Sequence, residues 1–453
     1  MTRLFGTDGI RGTAGEYPLD PTTLVKLGQS IARHTARRQQ RGQDPLRVVL
    51  GRDTRASGEW IEKSLVSGLV EAGAHAMTLG VIPTPGVAYL LEQYEADSGI
   101  VISASHNPYR DNGIKIFAAD GQKIPEQLEA AIEADLSLDQ PPPSAIDRTT
   151  RRGSSERVSS EPYLTWLRER VASGLRLDGW RVVLDCAHGA ASFFAPTLFS
   201  SLGASVDVLH ASPTGENINL ACGAVHPEAL REKVLATGAD IGLAFDGDAD
   251  RLIAVDERGE ILDGDHLLYL LASYRVQTGQ IDSPIVVASV MSNFGLERAL
   301  QRLQLTLVRT PVGDKPILDE LLRGGGSLGG EQSGHLILPQ ISLAGDGMVT
   351  ALEVLRATVS ARQPVSLLAA GMVRFPQRLL NLRVNRKPPL ETLPELQAAL
   401  DSAVNTLGER GRILVRYSGT EPIVRLMVEA SEESLLEEVL NPVAAVLEKL
   451  LSH

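Results

Sequence analysis

Apolar residues recur along the chain at two spacings. A spacing of three and four, as in Leu24, Leu27 and Ile31, predicts helices over 21–38, 57–72 and 87–93. The same reading continues over 189–202, 226–237, 267–275, 294–303, 315–322, 348–359 and 393–407. Between them stand short runs rich in β-branched residues, at 47–53, 76–81, 100–102, 114–117, 180–185, 205–209, 239–245, 252–255, 284–290 and 305–309. These read as buried strands. Strands and helices alternate, so α/β sandwich units are expected, with their chemistry in loops at strand ends. The last stretch differs. Strands at 379–384, 412–416 and 424–428 surround one helix and precede another at 432–451 that Pro442 is expected to interrupt.

A chain of 453 residues is too long for one core. Breaks in the pattern suggest four domains: 1–155, 156–256, 257–371 and 372–453. Pro141-Pro-Pro-Ser144 and the polar stretch to Ser160 read as a linker. A formal charge of -12 argues against general nucleic-acid binding, and 4% aromatic residues leave little for stacking on bases. Two cysteines do not make a disulfide scaffold and point to a reducing compartment. The N-terminal stretch has no apolar signal core, and no apolar run is long enough to span a bilayer. A cytoplasmic protein without a membrane partner is expected.

Five stretches carry chemistry. The run 100–102 ends in Ser-Ala-Ser-His-Asn-Pro, where Pro108 stops the strand and leaves Ser105 near the start of a polar loop. Ser105 is a candidate nucleophile or phosphoryl carrier, with His106 and Lys115 close by in sequence. The Gly-x-Ser-x-Gly elbow of acyl chemistry is absent. Asp111-Asn-Gly113 reads as a turn. Asp246-Gly-Asp-Ala-Asp250 follows a strand directly. Three carboxylates on alternate positions repel unless a cation neutralises them, and oxygen-only ligands suit Mg²⁺ or Ca²⁺. Residues 324–335 are glycine-dense and read as a ligand loop presenting Glu331, Ser333 and His335. Arg416, Ser418, Gly419, Thr420 and Arg425 make a phosphate cradle. Near the N-terminus, Arg11 among Gly6, Gly9 and Gly12 offers a planar fork to phosphate.

Ser-Ala-Ser-His-Asn-Pro, Asp-Gly-Asp-Ala-Asp-Arg, Gly-Glu-Gln-Ser-Gly-His and Arg-Tyr-Ser-Gly-Thr-Glu-Pro occur in that order. Together they resemble the α-D-phosphohexomutases, over essentially the whole chain. The resemblance implies four domains around a central cleft, three similar α/β sandwich units and a smaller C-terminal α+β domain. It implies that Ser105 is a phosphoserine, and that Asp246, Asp248 and Asp250 bind Mg²⁺ with the Ser105 phosphate as a further ligand. Glu331, Ser333 and His335 would hold the sugar. Arg416, Ser418, Gly419, Thr420 and Arg425 would hold the non-reacting phosphate, and Arg11, Lys115 and Arg251 would line the reacting centre. Lys115 and His335 are both candidates for proton transfer.

The Phe-Gly-Thr-Asp-Gly-Ile-Arg-Gly start and Gln332 point to the amino-sugar branch of the family. The implied reaction interconverts glucosamine 6-phosphate and glucosamine 1-phosphate through a 1,6-bisphosphate, toward UDP-N-acetylglucosamine. The alternatives are a mutase of glucose or mannose phosphates and a metal phosphatase with Asp246 as nucleophile. The expected partner is a phosphosugar, the expected assembly a monomer or homodimer, and the last domain is expected to hinge near 371–375. Two stretches depart from the family pattern: His188 replaces an asparagine, and Cys222-Gly-Ala-Val-His226 replaces Cys-Gly-Ser-Thr-His.

Overall fold

The computed structural model describes residues 3–39, 45–138, 153–418 and 421–451. The chain divides into two compact units, Met1–Val290 with Leu307–Ala369, and Met291–Thr306 with Ala370–His453.

The first unit opens with a seven-stranded sheet: β1 (Phe5–Gly6), β2 (Gly9–Thr13), β3 (Arg47–Arg52), β4 (His75–Val81), β5 (Ser98–Ile102), β6 (Asp111–Ala118) and β7 (Ser154–Arg157), in the order β1-β2-β6-β5-β3-β4-β7. Strands β3, β4, β5 and β7 are parallel, while β6, β2 and β1 return antiparallel. β5 is apolar apart from its first residue and buried throughout, as a strand covered on both faces must be. Helices Pro21–Gln39 and Gly58–Glu71 add Leu24, Leu27, Ile31, Ile61, Leu65 and Leu69 to a core with Val48, Leu50, Ile100 and Ile102. The helices touch backbone to backbone, since a Cβ on Gly68 would lie 2.0 Å from the Val25 carbonyl oxygen.

The second sheet holds β8 (Arg181–Asp185), β9 (Ser205–Leu209), β10 (Ile241–Phe245), β11 (Leu252–Asp256) and β12 (Ile261–Leu262), ordered β12-β11-β10-β8-β9. The third holds β13 (Ile285–Ser289), β14 (Thr306–Thr310), β15 (Leu328–Gly330) and β16 (Leu336–Ile337), ordered β14-β13-β15-β16. One device recurs in all three sheets. A buried strand, paired in parallel on one side, runs into a loop and returns as an antiparallel neighbour: β5 to β6, β10 to β11 and β15 to β16. The loops at these returns carry Ser105, the three aspartates and Glu331 to His335.

In the second unit, β17 (Gln377–Arg383), β18 (Gly411–Tyr417) and β19 (Ile423–Ala430) form an antiparallel sheet ordered β17-β19-β18. Helices Pro394–Leu407 and Glu433–Leu451 contribute Leu396, Leu407, Leu436, Val439 and Leu447 to its core.

Several local expectations are corrected. Asp111–Gly113 is not a turn but the start of β6, paired with β2 from Arg11 to Thr13. The glycine-dense segment contains buried strand β15, because Gly329 and Gly330 fit where side chains and backbone leave no room for a Cβ. Residues 189–202 form two short helices, Ala190–Phe193 and Ala195–Ser201, rather than one. Pro442 lies inside a continuous helix. The burial of Leu435, Leu436, Val439, Leu440, Val443 and Leu447 outweighs the ~3 kcal/mol a helical proline costs. Residues 141–152 of the expected linker lie outside the described residues, and within the remainder Ser154–Arg157 form strand β7. A boundary at 155/156 therefore cuts that strand, and one at 256/257 separates β12 from the sheet it pairs with. Among the described residues no helix is long and apolar enough to cross a membrane.

Candidate active site

Ser105 follows β5 with φ at 53°, a left-handed conformation uncommon for a residue with a side chain. A buried network holds it there. Ser103 donates to Asp53 Oδ2 (2.6 Å), and the Ser105 N–H donates to Ser103 Oγ (2.9 Å). The fully buried Arg55 is paired with Asp53 (Nε to Oδ2, 2.9 Å) and fans its remaining donors over the loop. Its guanidinium donates to the carbonyls of Ser105 (2.9 Å), Asn107 (2.8 Å), Asp111 (2.9 Å) and Pro108. Asn219 Nδ2, from the second sheet's loops, also donates to the Ser105 carbonyl (2.9 Å). Neither Arg55 nor Asn219 is marked by any sequence pattern beyond a polar strand end and a polar loop.

The Ser105 hydroxyl donates to Asp246 Oδ2 at 2.6 Å, joining the first two sheets. Gly247 allows this approach, since a Cβ there would stand 2.6 Å from the Ser105 carbonyl oxygen. Ala249 takes φ 56°, and the turn brings one oxygen each of Asp246, Asp248 and Asp250 within 4.8 Å of one another. All three aspartates are buried. Lys115 Nζ sits among Asp248 (2.9 Å), Asp250 (3.1 Å) and Asp8 (3.1 Å). Arg251 Nε lies 3.9 Å from Asp246 and 3.8 Å from Asp250. Thr84 donates to Asp248 Oδ2 (2.6 Å).

These charges move the ionisations apart. Burial, then the Asp250 and Asp248 charges, push the Asp246 carboxyl well above the usual range. Burial works against ionising Asp250 too, but Lys115 and His335 outweigh it and hold that carboxyl well below the usual range. Burial likewise opposes charge on Lys115, yet Asp248, Asp250 and Asp8 keep the ammonium well above its ordinary value. Asp248 Oδ1 and Asp250 Oδ1 are buried without a hydrogen-bond partner. Oxygens of that kind suit a hard divalent cation, so the residues present fit the metal that the sequence implies.

The third sheet's return supplies Glu331, Ser333 and His335. His335 Nδ1 faces Asp250 Oδ2 at 3.7 Å. Burial alone would lower the imidazole, but the Asp250 charge raises it above its ordinary value. His335 Nε2 and Ser333 Oγ are buried without partners. Glu331 accepts from the Gly313 N–H (3.0 Å). A cavity of about 390 Å³ is lined by Arg11, His106, Asp250, Arg251, Glu331 and His335, together with Asp8 and Asp314. That volume suits a small-molecule ligand. Asp8 and Asp314 pair with Lys123, and Asp8 also pairs with Arg11 at 2.5 Å. Asp8 lies in the first glycine motif, three residues before Arg11. Lys123 and Thr84 had no signal.

In the second unit, Arg416 and Arg425 are direct cross-strand partners on β18 and β19. Two like charges so placed destabilise a sheet unless an anion bridges them. Ser418 is buried beside them, and its carbonyl accepts from Lys387 Nζ (2.7 Å), a cation not anticipated. Gly419 and Thr420 lie outside the described residues.

Four domain models of phosphoglucomutase/phosphomannomutase match the chain in order. The α/β/α domains I, II and III match residues 2–140, 161–259 and 263–375, and the C-terminal domain matches 379–446. The chain belongs to the phosphoglucomutase/phosphomannomutase family. Within this family it is similar to the phosphoglucosamine mutase of Moorella thermoacetica, 46% identical over 97% of this chain and 98% of the relative. It is also similar to that of Shouchella clausii, 43% identical over the full length of both. A phosphoglucomutase/phosphomannomutase family protein from Burkholderia thailandensis superposes with a TM-score of 0.80 at 25% identity, covering 99% and 98% of the two chains. The fold is shared with Aspergillus fumigatus N-acetylphosphoglucosamine mutase, solved with GlcNAc-6P and magnesium. That match has a TM-score of 0.66 at 19% identity and covers 95% and 97% of the two chains. The family's three α/β/α domains correspond to the three sheets ending in β5–β6, β10–β11 and β15–β16.

Proposed function

We propose that the chain interconverts glucosamine 6-phosphate and glucosamine 1-phosphate, with Ser105 as the phosphoryl carrier and a 1,6-bisphosphate as intermediate. The observation that carries this reading is the Ser105 hydroxyl at 2.6 Å from an aspartate trio, beside a cavity bearing Arg11, Arg251 and His335. The relatives named phosphoglucosamine mutase support the amino sugar.

In the proposed exchange the Oγ–P bond of phosphoserine 105 breaks as a P–O bond forms to the free sugar hydroxyl. That hydroxyl loses its proton, and one proton reaches Ser105 Oγ. The other phosphoryl group of the bisphosphate then returns to Ser105 by the same exchange reversed, so the net change is an isomerisation. Mg²⁺ held by Asp246, Asp248 and Asp250 would neutralise charge on the transferring group. Lys115 stays cationic among its three carboxylates, which suits it to donate a proton or a hydrogen bond rather than to remove a proton. His335, with a free Nε2, is the second proton-transfer candidate. Arg11 and Arg251 add positive charge where phosphate oxygens arrive. Glu331 and Ser333 offer the short polar contacts that two sugar orientations require. Arg416, Ser418, Gly419, Thr420 and Arg425 hold the non-reacting phosphate in this reading.

The test compares turnover of glucosamine 6-phosphate with that of glucose and mannose phosphates in the presence of Mg²⁺, while free phosphate is followed. Isomerisation favouring the amino sugar is expected. Stoichiometric phosphate release without a phosphoserine would turn the reading into a phosphatase with Asp246 as nucleophile.

A further inference from the structure

A second group of metal-binding side chains lies outside the aspartate trio. Asp185 ends β8, His210 follows β9, and Cys222 stands in the loop after them, so three separate segments converge. One carboxylate oxygen, one imidazole nitrogen and the thiol sulfur all lie within 4.8 Å of one another. We propose that Asp185, His210 and Cys222 form a second metal site, selective for a borderline divalent cation such as Zn²⁺.

The donor set separates this site from the first. Mixed oxygen, nitrogen and sulfur ligands suit Zn²⁺, whereas three carboxylates suit Mg²⁺. Asp185 is fully buried, and its Oδ1 accepts from the Ala187 N–H (3.0 Å). That bond orients the carboxyl and leaves Oδ2 facing His210 Nδ1 at 3.0 Å. The Cys222 thiol is buried and in no disulfide. The His210 side chain is 27% exposed, which gives an ion a way in and a water a fourth position. His188 packs edge-on against His210, with ring centroids 5.3 Å apart, but its Nδ1 accepts from the Ser212 N–H, so it supports the ring rather than ligating. Ala187, His188, His210 and Ala221 all take left-handed φ near 50°. Such strain gathers where side chains must be aimed.

The site also has a mechanical reach. Asn219, three residues before Cys222, receives no ligand role, yet it donates to the carbonyls of Ser105 (2.9 Å) and Asn107 (3.1 Å). An ion on Cys222 would stiffen the segment that holds the serine loop.

The experiment titrates the metal-free full chain with Co²⁺, using excess Mg²⁺ to occupy the aspartate trio. A near-ultraviolet thiolate-to-cobalt band saturating at one ion per chain is expected. Cys222→Ser should abolish the band, Cys186→Ser should retain it, and His210→Ala, at a partly exposed position, should weaken binding at least as much as the roughly 10–100-fold that loss of a ligand's supporting partner costs. Zn²⁺ should displace Co²⁺ and raise the melting temperature of the parent chain. No band, or a band that survives Cys222→Ser, would overturn the site and leave Asp185 and His210 as a hydrogen-bonded pair only. The band does not depend on turnover, so this test stands apart from that of the mutase reading.

Discussion

Ser105 Oγ and Asp246 Oδ2 are 2.6 Å apart although 141 residues separate them in the chain. A phosphoryl group on that oxygen would meet Asp246 first, a contact two anions tolerate only with a cation between them. Ser105→Ala is therefore expected to lower mutase turnover by on the order of 10³-fold or more, as loss of a covalent carrier does. Intact-protein mass spectrometry should show the phosphorylated form in the parent and none at this position in the variant. Asp248→Asn should weaken the response of the rate to Mg²⁺. Unchanged activation would remove the aspartate trio from the metal site.

Arg55 is the next point of dependence. It holds the carbonyls of Ser105, Asn107 and Pro108 in the loop, that of Asp111 at the start of β6, and the buried Asp53 carboxylate. Arg55→Met should destabilise the chain by about 3–5 kcal/mol, because Asp53 is left charged and buried without its partner. Arg55→Lys should recover little of this, since one ammonium cannot span the same fork. Urea melts of the two variants test the ranking. A loss under about 1 kcal/mol for Arg55→Met would mean that the loop needs no such clamp.

His106 offers a pH test. Its Nδ1 lies 3.3 Å from Ser105 Oγ, and burial, Arg251 and Arg11 lower its ionisation from 6.5 to about 4. Between those values the unfolded chain binds the proton and the folded chain does not. The contribution of this residue to stability is thus full above pH 6.5 and lost as the pH falls toward 4. NMR titration of the His106 ring should show a midpoint near 4 in the unphosphorylated protein. Phosphorylation of Ser105 should move it upward, because the new anion favours the imidazolium. A midpoint at the ordinary value would contradict the packing around the ring.

Arg425 tests the second unit. Its Nε is buried without a hydrogen-bond partner, and Arg416 faces it across the strands. Arg425→Ala should raise KM for the sugar phosphate roughly tenfold or more, the worth of a hydrogen bond to a charged group, and change kcat less. The melting temperature should hold or rise, because a cross-strand repulsion is relieved. An unaltered KM would remove this pair from phosphate binding.

How much of this was legible in sequence differs from element to element. The helix over 21–38 and the buried run at 100–102 follow from apolar spacing, which is a local property. Asp246-Gly-Asp-Ala-Asp250 announced a charge problem because the repulsion it creates is also local. The motifs in their order carried the family. Less legible were β15 and the unbroken helix through Pro442. There the local preferences of glycine and proline yielded to burial against residues far along the chain.

The one-dimensional order of residues determined which groups stand at strand ends: a hydroxyl, three carboxylates, a histidine and a set of arginines. Tertiary structure alone decided that Lys115 answers Asp8, Asp248 and Asp250 at once, and that Arg55 and Asn219 grip the Ser105 loop. It also decided that Asp185, His210 and Cys222 meet. The physical reason is that a buried charge or donor must be satisfied by whatever group the packed sheets bring within about 3 Å, and chain separation places no constraint on that partner.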